Sequence, residues 1–415
     1  MGYVAVTGGQ EAIEASIQLL KDYRSGGEEA LSIEVIQQRM RLLIDRIMSE
    51  AGLYAPDYAA LALKQCEGSP EEAVFLLRAY RSTLPRNYTS RTVSGEQMHI
   101  RRRISSAFKD IPGGQVLGPT YDYVHRLLDF SLAQEDEQEL QQWKKQFRSQ
   151  AEEENGQQEL ADTAPRVLDL LRQEGLLEEV PEDRSEPCDV TMEKLPIPAP
   201  RSAVLQTLTR ADTGFISGLA YSDIRGFGMS HPTIGELRYG TVEVLVDHPL
   251  LEGQPWYVGE IEITEVEGLM GSRPGSNGIG VGYGCVFGRN DTKAIAMAVL
   301  DHALTLEDTG PTSDAEFVLL HGDCLEMNGF ISHLKLPHYV TFQSKLDGLR
   351  SPKKGAEPMT KKTNQTDYNF AFLDEGSKRE IRRSILHAIA VPGYQVPFGS
   401  RELPIGRDGA PAAFS

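Results

Sequence analysis

A chain of 415 residues, 40% of them hydrophobic, is long enough for two or three domains with buried cores, which excludes a disordered or fibrous protein. Its net charge of −18 argues against general nucleic-acid binding, and no apolar run approaches the length that crosses a membrane. Cys66, Cys188, Cys285 and Cys324 lie far apart without a Cys-x-x-Cys, so neither a disulfide framework nor an iron–sulfur cluster is expected in this chain. The opening MGYVAVTGG has no basic region followed by an apolar core, so a cytoplasmic protein is the expectation.

The pattern along the chain predicts an α+β protein. A short strand, YVAV, precedes a helix with Ile13, Ile17 and Leu20 on one face, and Ile33, Ile36, Met40, Leu43, Ile44 and Ile47 keep helical spacing behind Ser32 as a cap. SPEEAVFLLRAYR carries the signals of a helix start: Ser69, Pro70, then Glu71 and Glu72. GEQMHIRRRISSAF and TYDYVHRLLDFSL also read as helical, making residues 1–132 a mainly helical domain. An acidic helical arm at 133–194 follows, because residues 135–193 hold 18 acids against 6 bases. An α+β domain at 195–347 contains the predicted strands TVEVLVDH, WYVGEIEITEV, YGCVFG and AEFVLLHG, with one helix, TKAIAMAVLDHAL. Residues 348–367 read as a polar linker, and 368–415 as a tail.

Four constellations could carry chemistry. Eight bases against one acid fall in residues 78–109, a cluster that could meet an anion or simply form a solvated face. Glu260 and Glu262 share a strand face in a cluster with Glu265 and Glu267, while Glu236 stands apart in HPTIGELRYG, yet most such strands show only a solvated face. Gly278, Gly280, Gly282 and Gly284 alternate, which suits either backbone approach to a ligand or close packing of another segment. HLKLPHYVTFQ sets His333 and His338 around Pro337, where a bend could turn both rings toward one metal, with His321, Asp323 and Cys324 as possible further ligands.

EAVFLLRAYRSTLPR, RRISSAFKDIPGGQVLGPTYDYVHRLLDF, GYGCVFGRNDTKAIAMAVLDHAL and HLKLPHYVTFQ, taken in order, resemble the PhnI subunit family of the bacterial carbon–phosphorus lyase core complex. The resemblance implies a cytoplasmic transferase subunit that works with the other core subunits. It implies displacement of adenine from ATP by an alkylphosphonate to give ribose 1-phosphonate 5-triphosphate, with nucleosidase activity when the subunit is alone. A triphosphate needs cations, for which Arg101, Arg102, Arg103 and Lys109 are the candidates. Glycosidic cleavage builds positive charge on the sugar and negative charge on the base, for which Glu236, Glu260, Glu262 and Asp129 are the candidates. The resemblance also implies a zinc site at His333 and His338, facing a radical-SAM partner. A scaffold that only presents this zinc is the alternative. The tail YNFAFLDEGSKREIRRSILHAIAVPGYQVPFGSRELP resembles the start of that partner, subunit PhnJ, without its cluster-binding cysteines.

Overall fold

The computed structural model describes residues 9–26, 30–155, 164–180, 185–227, 231–273, 275–306 and 310–351. The predicted strand YVAV and the tail from residue 352 lie outside them. The described residues fall into two units, 9–26 with 337–351, and 30–336. The first unit contains helices α1 (Gly9–Arg24) and α13 (Tyr339–Arg350).

The second unit begins with a bundle of four helices, α2 (Ile33–Arg39), α3 (Arg41–Ala51), α4 (Pro56–Gln65) and α5 (Pro70–Thr83). The predicted caps form: Ser32 Oγ accepts from Val35 N at 3.1 Å and Ser69 Oγ from Glu72 N at 3.4 Å. Ile36, Ile44, Ile47, Met48, Leu63, Val74 and Leu77 bury one another, with Cys324 joining from the far end of the sequence.

A four-stranded antiparallel sheet follows in the order β1 (His99–Ile104), β2 (Thr233–Asp247), β3 (Pro255–Met270) and β4 (Gly280–Phe287). One face packs on α10 (Asp291–Ala303), with α8 (Arg201–Arg210) and α9 (Thr213–Ser222) completing the largest core. The alternating glycines answer their own question here. A Cβ at Gly282 would lie 1.9 Å from Ala298 O, and one at Gly284 would lie 2.0 Å from Ala294 O, so they let the α10 backbone rest on β4.

Three local expectations are corrected. Residues 99–104, read as part of a helix, form β1, because their partner β2 lies far along the chain where local periodicity cannot register it. TYDYVHRLLDFSL, also read as helical, folds into turns and one 3₁₀ turn, Phe130–Gln134. Leu127 and Leu128 remain 82% and 84% exposed, so no packing face supports a helix there. AEFVLLHG, read as a strand, is α11 (Ala315–His321), started by Asp314, whose Oδ1 accepts from Phe317 N at 3.0 Å.

In the acidic segment, α6 (Glu137–Asn155) is the helix expected. Beyond it the chain is not an exposed arm: Val167 and Leu168 are buried against the sheet, α7 (Asp169–Gln173) is short, and Leu177 bridges to Ile279.

Candidate functional site

The second face of the sheet carries charge where a core would carry apolar groups. Cross-strand pairing sets Glu236 opposite Glu267 and Arg238 opposite Glu265, and β4 adds Tyr283 and Cys285. Glu265 and Glu267, in a strand expected to show a solvated face, are only 4% and 6% exposed. Residues 164–172 cover them: Arg166 pairs with Glu265 at 3.0 Å and lies 3.6 Å from Glu267, while Arg172 also pairs with Glu267. Burial pushes the Cys285 thiol up to about 12, with the Glu265 charge adding to it, so it stays protonated.

This layer absorbs much of the predicted site. Glu236 accepts from Arg103 Nε at 2.6 Å and from Val167 N at 2.9 Å. Arg238 Nε lies 2.8 Å from the same carboxylate, at ion-pair distance but off-line for a hydrogen bond. Arg103 also donates to Pro112 O, to Gly114 O at 3.2 Å and to Pro165 O at 2.8 Å. Arg102 is likewise buried, donating to Leu117 O and to Asp122 at 2.6 Å and lying 3.1 Å from Asp291. Guanidiniums enclosed by carbonyls and carboxylates hold the fold together and have little left for a triphosphate. Lys109, Glu260 and Asp129 are exposed, and Asp129 caps the 3₁₀ turn through Ser131 N at 3.0 Å.

Glu262 and Arg101 have different surroundings. Glu262 borders a cleft of about 190 Å³ between the helical bundle and the sheet, lined also by Arg41, Asp45, Tyr54, Tyr239 and Arg289. Tyr239 Oη donates to Glu262 Oε2 at 2.6 Å, Arg101 pairs with the other oxygen, and Tyr54 Oη accepts from Glu262 N at 3.1 Å. Burial raises the Tyr239 phenol above its usual range, and its bond to Glu262 raises it further, so it is a fixed donor to that carboxylate. Two guanidiniums and two carboxylates around a small cleft suit a ligand that is anionic at one end and develops positive charge at the other.

The sequence reading missed Arg41, Asp45, Tyr54, Tyr239 and Arg289. Arg41 and Asp45 stand on a helix read only for its apolar spacing. Arg289 offered the better signal, since it follows Gly288 in the turn from β4 into α10, immediately before the capping Asn290.

Each metal candidate can be placed by itself. His333 opens the 3₁₀ turn His333–Lys335, and its Nδ1 meets Phe330 O. Leu336 leaves helical angles with φ −76° and ψ 160°, as its position before Pro337 predicts, and His338 precedes α13. The further ligands considered are otherwise engaged. His321 Nδ1 lies 2.8 Å from Phe317 O, and Asp323 caps α12 (Cys324–Ser332) and pairs with Arg78. Cys324 is fully buried, its thiol pushed up to about 12 by burial. Among the described residues no group of three His, Cys, Asp or Glu could hold a metal.

Residues 2–356 match the family model of the bacterial phosphonate metabolism protein PhnI. The chain belongs to the PhnI family. HtxH of Stutzerimonas stutzeri is 45% identical over 367 residues, covering 86% of this chain and 97% of HtxH. The alpha-D-ribose 1-methylphosphonate 5-triphosphate synthase subunit PhnI of Escherichia coli K12 is 43% identical over 365 residues, covering 84% of this chain and 97% of that subunit. Beyond the PhnI region, residues 366–410 match the phosphonate metabolism protein PhnJ. There the E. coli K12 alpha-D-ribose 1-methylphosphonate 5-phosphate C-P lyase is 67% identical over 42 residues, 10% of this chain and 15% of that enzyme. The chain is therefore a PhnI-family protein followed by a PhnJ-like segment, and the descriptions of both families place it in phosphonate metabolism.

Proposed function

We propose that this chain is the ribosyl-transferring subunit of a carbon–phosphorus lyase complex, displacing adenine from ATP by an alkylphosphonate and releasing adenine to water when alone. The observation that carries this reading is the family match over residues 2–356, with a 43% identical relative named as a synthase subunit for ribose 1-methylphosphonate 5-triphosphate. The cleft supports it chemically. Arg41 and Arg289 suit phosphate oxygens, and Glu262 suits the positive charge that builds on ribose as the base departs. Its volume of about 190 Å³ is below the roughly 300–1,000 Å³ of sites that enclose a drug-sized ligand, so it would hold one part of the nucleotide and leave the rest to a partner or to solvent. Arg101, which holds Glu262, replaces Arg102 and Arg103 as the predicted arginine nearest this chemistry. The direct test is purified full chain with ATP: adenine appearing in the supernatant supports the reading. Intact ATP beside a folded chain would favour a scaffold instead.

The zinc reading extends the same proposal. In that reading, which the family resemblance supports, His333 supplies one zinc ligand. The same resemblance assigns a ligand role to His338, and a radical-SAM partner or the substrate's own oxygens would complete the sphere. His333→Ala or His338→Ala should lower the zinc content of the assembled complex without unfolding the chain, as read by elemental analysis beside circular dichroism. Unchanged zinc would remove the histidines from the site. The complex is expected in the cytoplasm; among the described residues no helix is long and apolar enough to cross a membrane.

A further inference from the structure

Two carboxylates line the cleft, and their surroundings differ. Glu262 meets Tyr239 Oη at one oxygen and Arg101 at the other. Among the described residues, Asp45, on α3 and 8% exposed, accepts only the Arg289 backbone N–H, at 3.0 Å on Oδ2, and no donor reaches Oδ1. The turn that supplies this N–H is built around Gly288 at φ +64°, where a Cβ would lie 2.3 Å from Oδ1. Any other residue there would be strained and would press on the carboxyl.

We propose that Asp45 is the proton donor to the departing purine in this cleft, a role that rests on the ribosyl-transfer reading above. As the bond from ribose C1′ to the purine nitrogen breaks, its electron pair goes to the purine. Asp45 then gives its proton to a purine ring nitrogen, so neutral adenine leaves. A phosphonate oxygen, or water when the chain is alone, bonds to C1′. With water, the proton released from the nucleophile passes to Glu262, and solvent restores both carboxyl groups.

The protonation state agrees with this division of labour. Burial pushes Asp45 up to about 6, and the Glu262 charge adds to that, while the Arg289 N–H and the Arg41 and Arg289 guanidiniums pull it down. Tyr54 and Tyr239 complete the titratable groups of the cleft, and burial raises both phenols, which stay neutral. Two carboxyl groups whose environments diverge in this way are the arrangement that separates an acid from a charge stabiliser.

The test compares ATP with an analogue in which 4-nitrophenolate replaces adenine and needs no proton to leave. Asp45→Asn should lower kcat/KM for ATP by about 100- to 1,000-fold and change that for the analogue by less than about threefold. Asp45→Glu should recover part of the loss. In the wild-type chain the ATP rate should fall as pH rises above about 6, the value that burial gives Asp45, while the analogue shows no such limb. This second comparison needs no variant and stands even if Asp45→Asn fails to fold. Equal losses on both substrates, no loss on either, or the same limb with both would overturn the role of Asp45. A wild-type chain inert toward ATP would instead overturn the ribosyl-transfer reading itself, and the donor role with it.

Discussion

Glu236→Gln should destabilise the chain by about 3–5 kcal/mol, enough to unfold much of the population at 37 °C, as read by thermal or urea denaturation. The carboxylate is 2% exposed and lies against Arg103, Arg238 and the Val167 amide, so neutralising it leaves two buried guanidiniums without their counter-charge. Arg103→Ala should behave alike, since it removes the partner of Glu236 and strands the carbonyls of Pro112 and Pro165. A folded Glu236→Gln chain with normal stability and a specific loss of rate would contradict this and return Glu236 to the catalytic candidates.

Glu262→Gln should leave the chain folded and reduce adenine release by about 100-fold or more through kcat, with KM for ATP little changed. Its side chain is 27% exposed, and an amide can still accept from Tyr239 and fill the same space, so what is lost is the charge and the proton acceptor that the proposed reaction assigns to it. Arg41→Ala should do the reverse, raising KM for ATP far more than for adenosine, because its partner would be phosphate. Equal effects of Arg41→Ala on both ligands would take phosphate recognition out of this cleft. An unimpaired Glu262→Gln would take the sugar out of it.

Elements whose signals are local were legible in the sequence. Ser69-Pro70-Glu71-Glu72 starts α5 where it should, and the alternation in TVEVLVDH and WYVGEIEITEV marks β2 and β3. What failed was set by distant partners. HIRRRI gives no periodic cue, and only pairing with β2 makes it a strand. The glutamates of β3 look solvated until Arg166 and Arg172, nearly a hundred residues upstream, fold over them. The same cause scattered the site. Glu262 was among the candidates because carboxylates are conspicuous, but Asp45 became meaningful only when the Gly288–Arg289 turn met α3, a contact spanning 244 residues. Within the basic cluster, charge density alone did not separate Arg102 and Arg103, which carbonyls and carboxylates enclose, from the exposed Arg101 and Lys109.

The pairing of β1 with β2 also sets a timetable. Arg103 and Glu236 are separated by 133 residues, so at ordinary rates of translation the first strand would leave the ribosome on the order of ten seconds before its partner. Closing so long a loop is entropically costly and slow, and an unpaired strand is exposed to misassociation for that interval. Three consecutive arginines in HIRRRI repel another copy of the same strand while it waits. The residues that end as the buried clamp of the sheet would thus first serve as protection for the nascent chain.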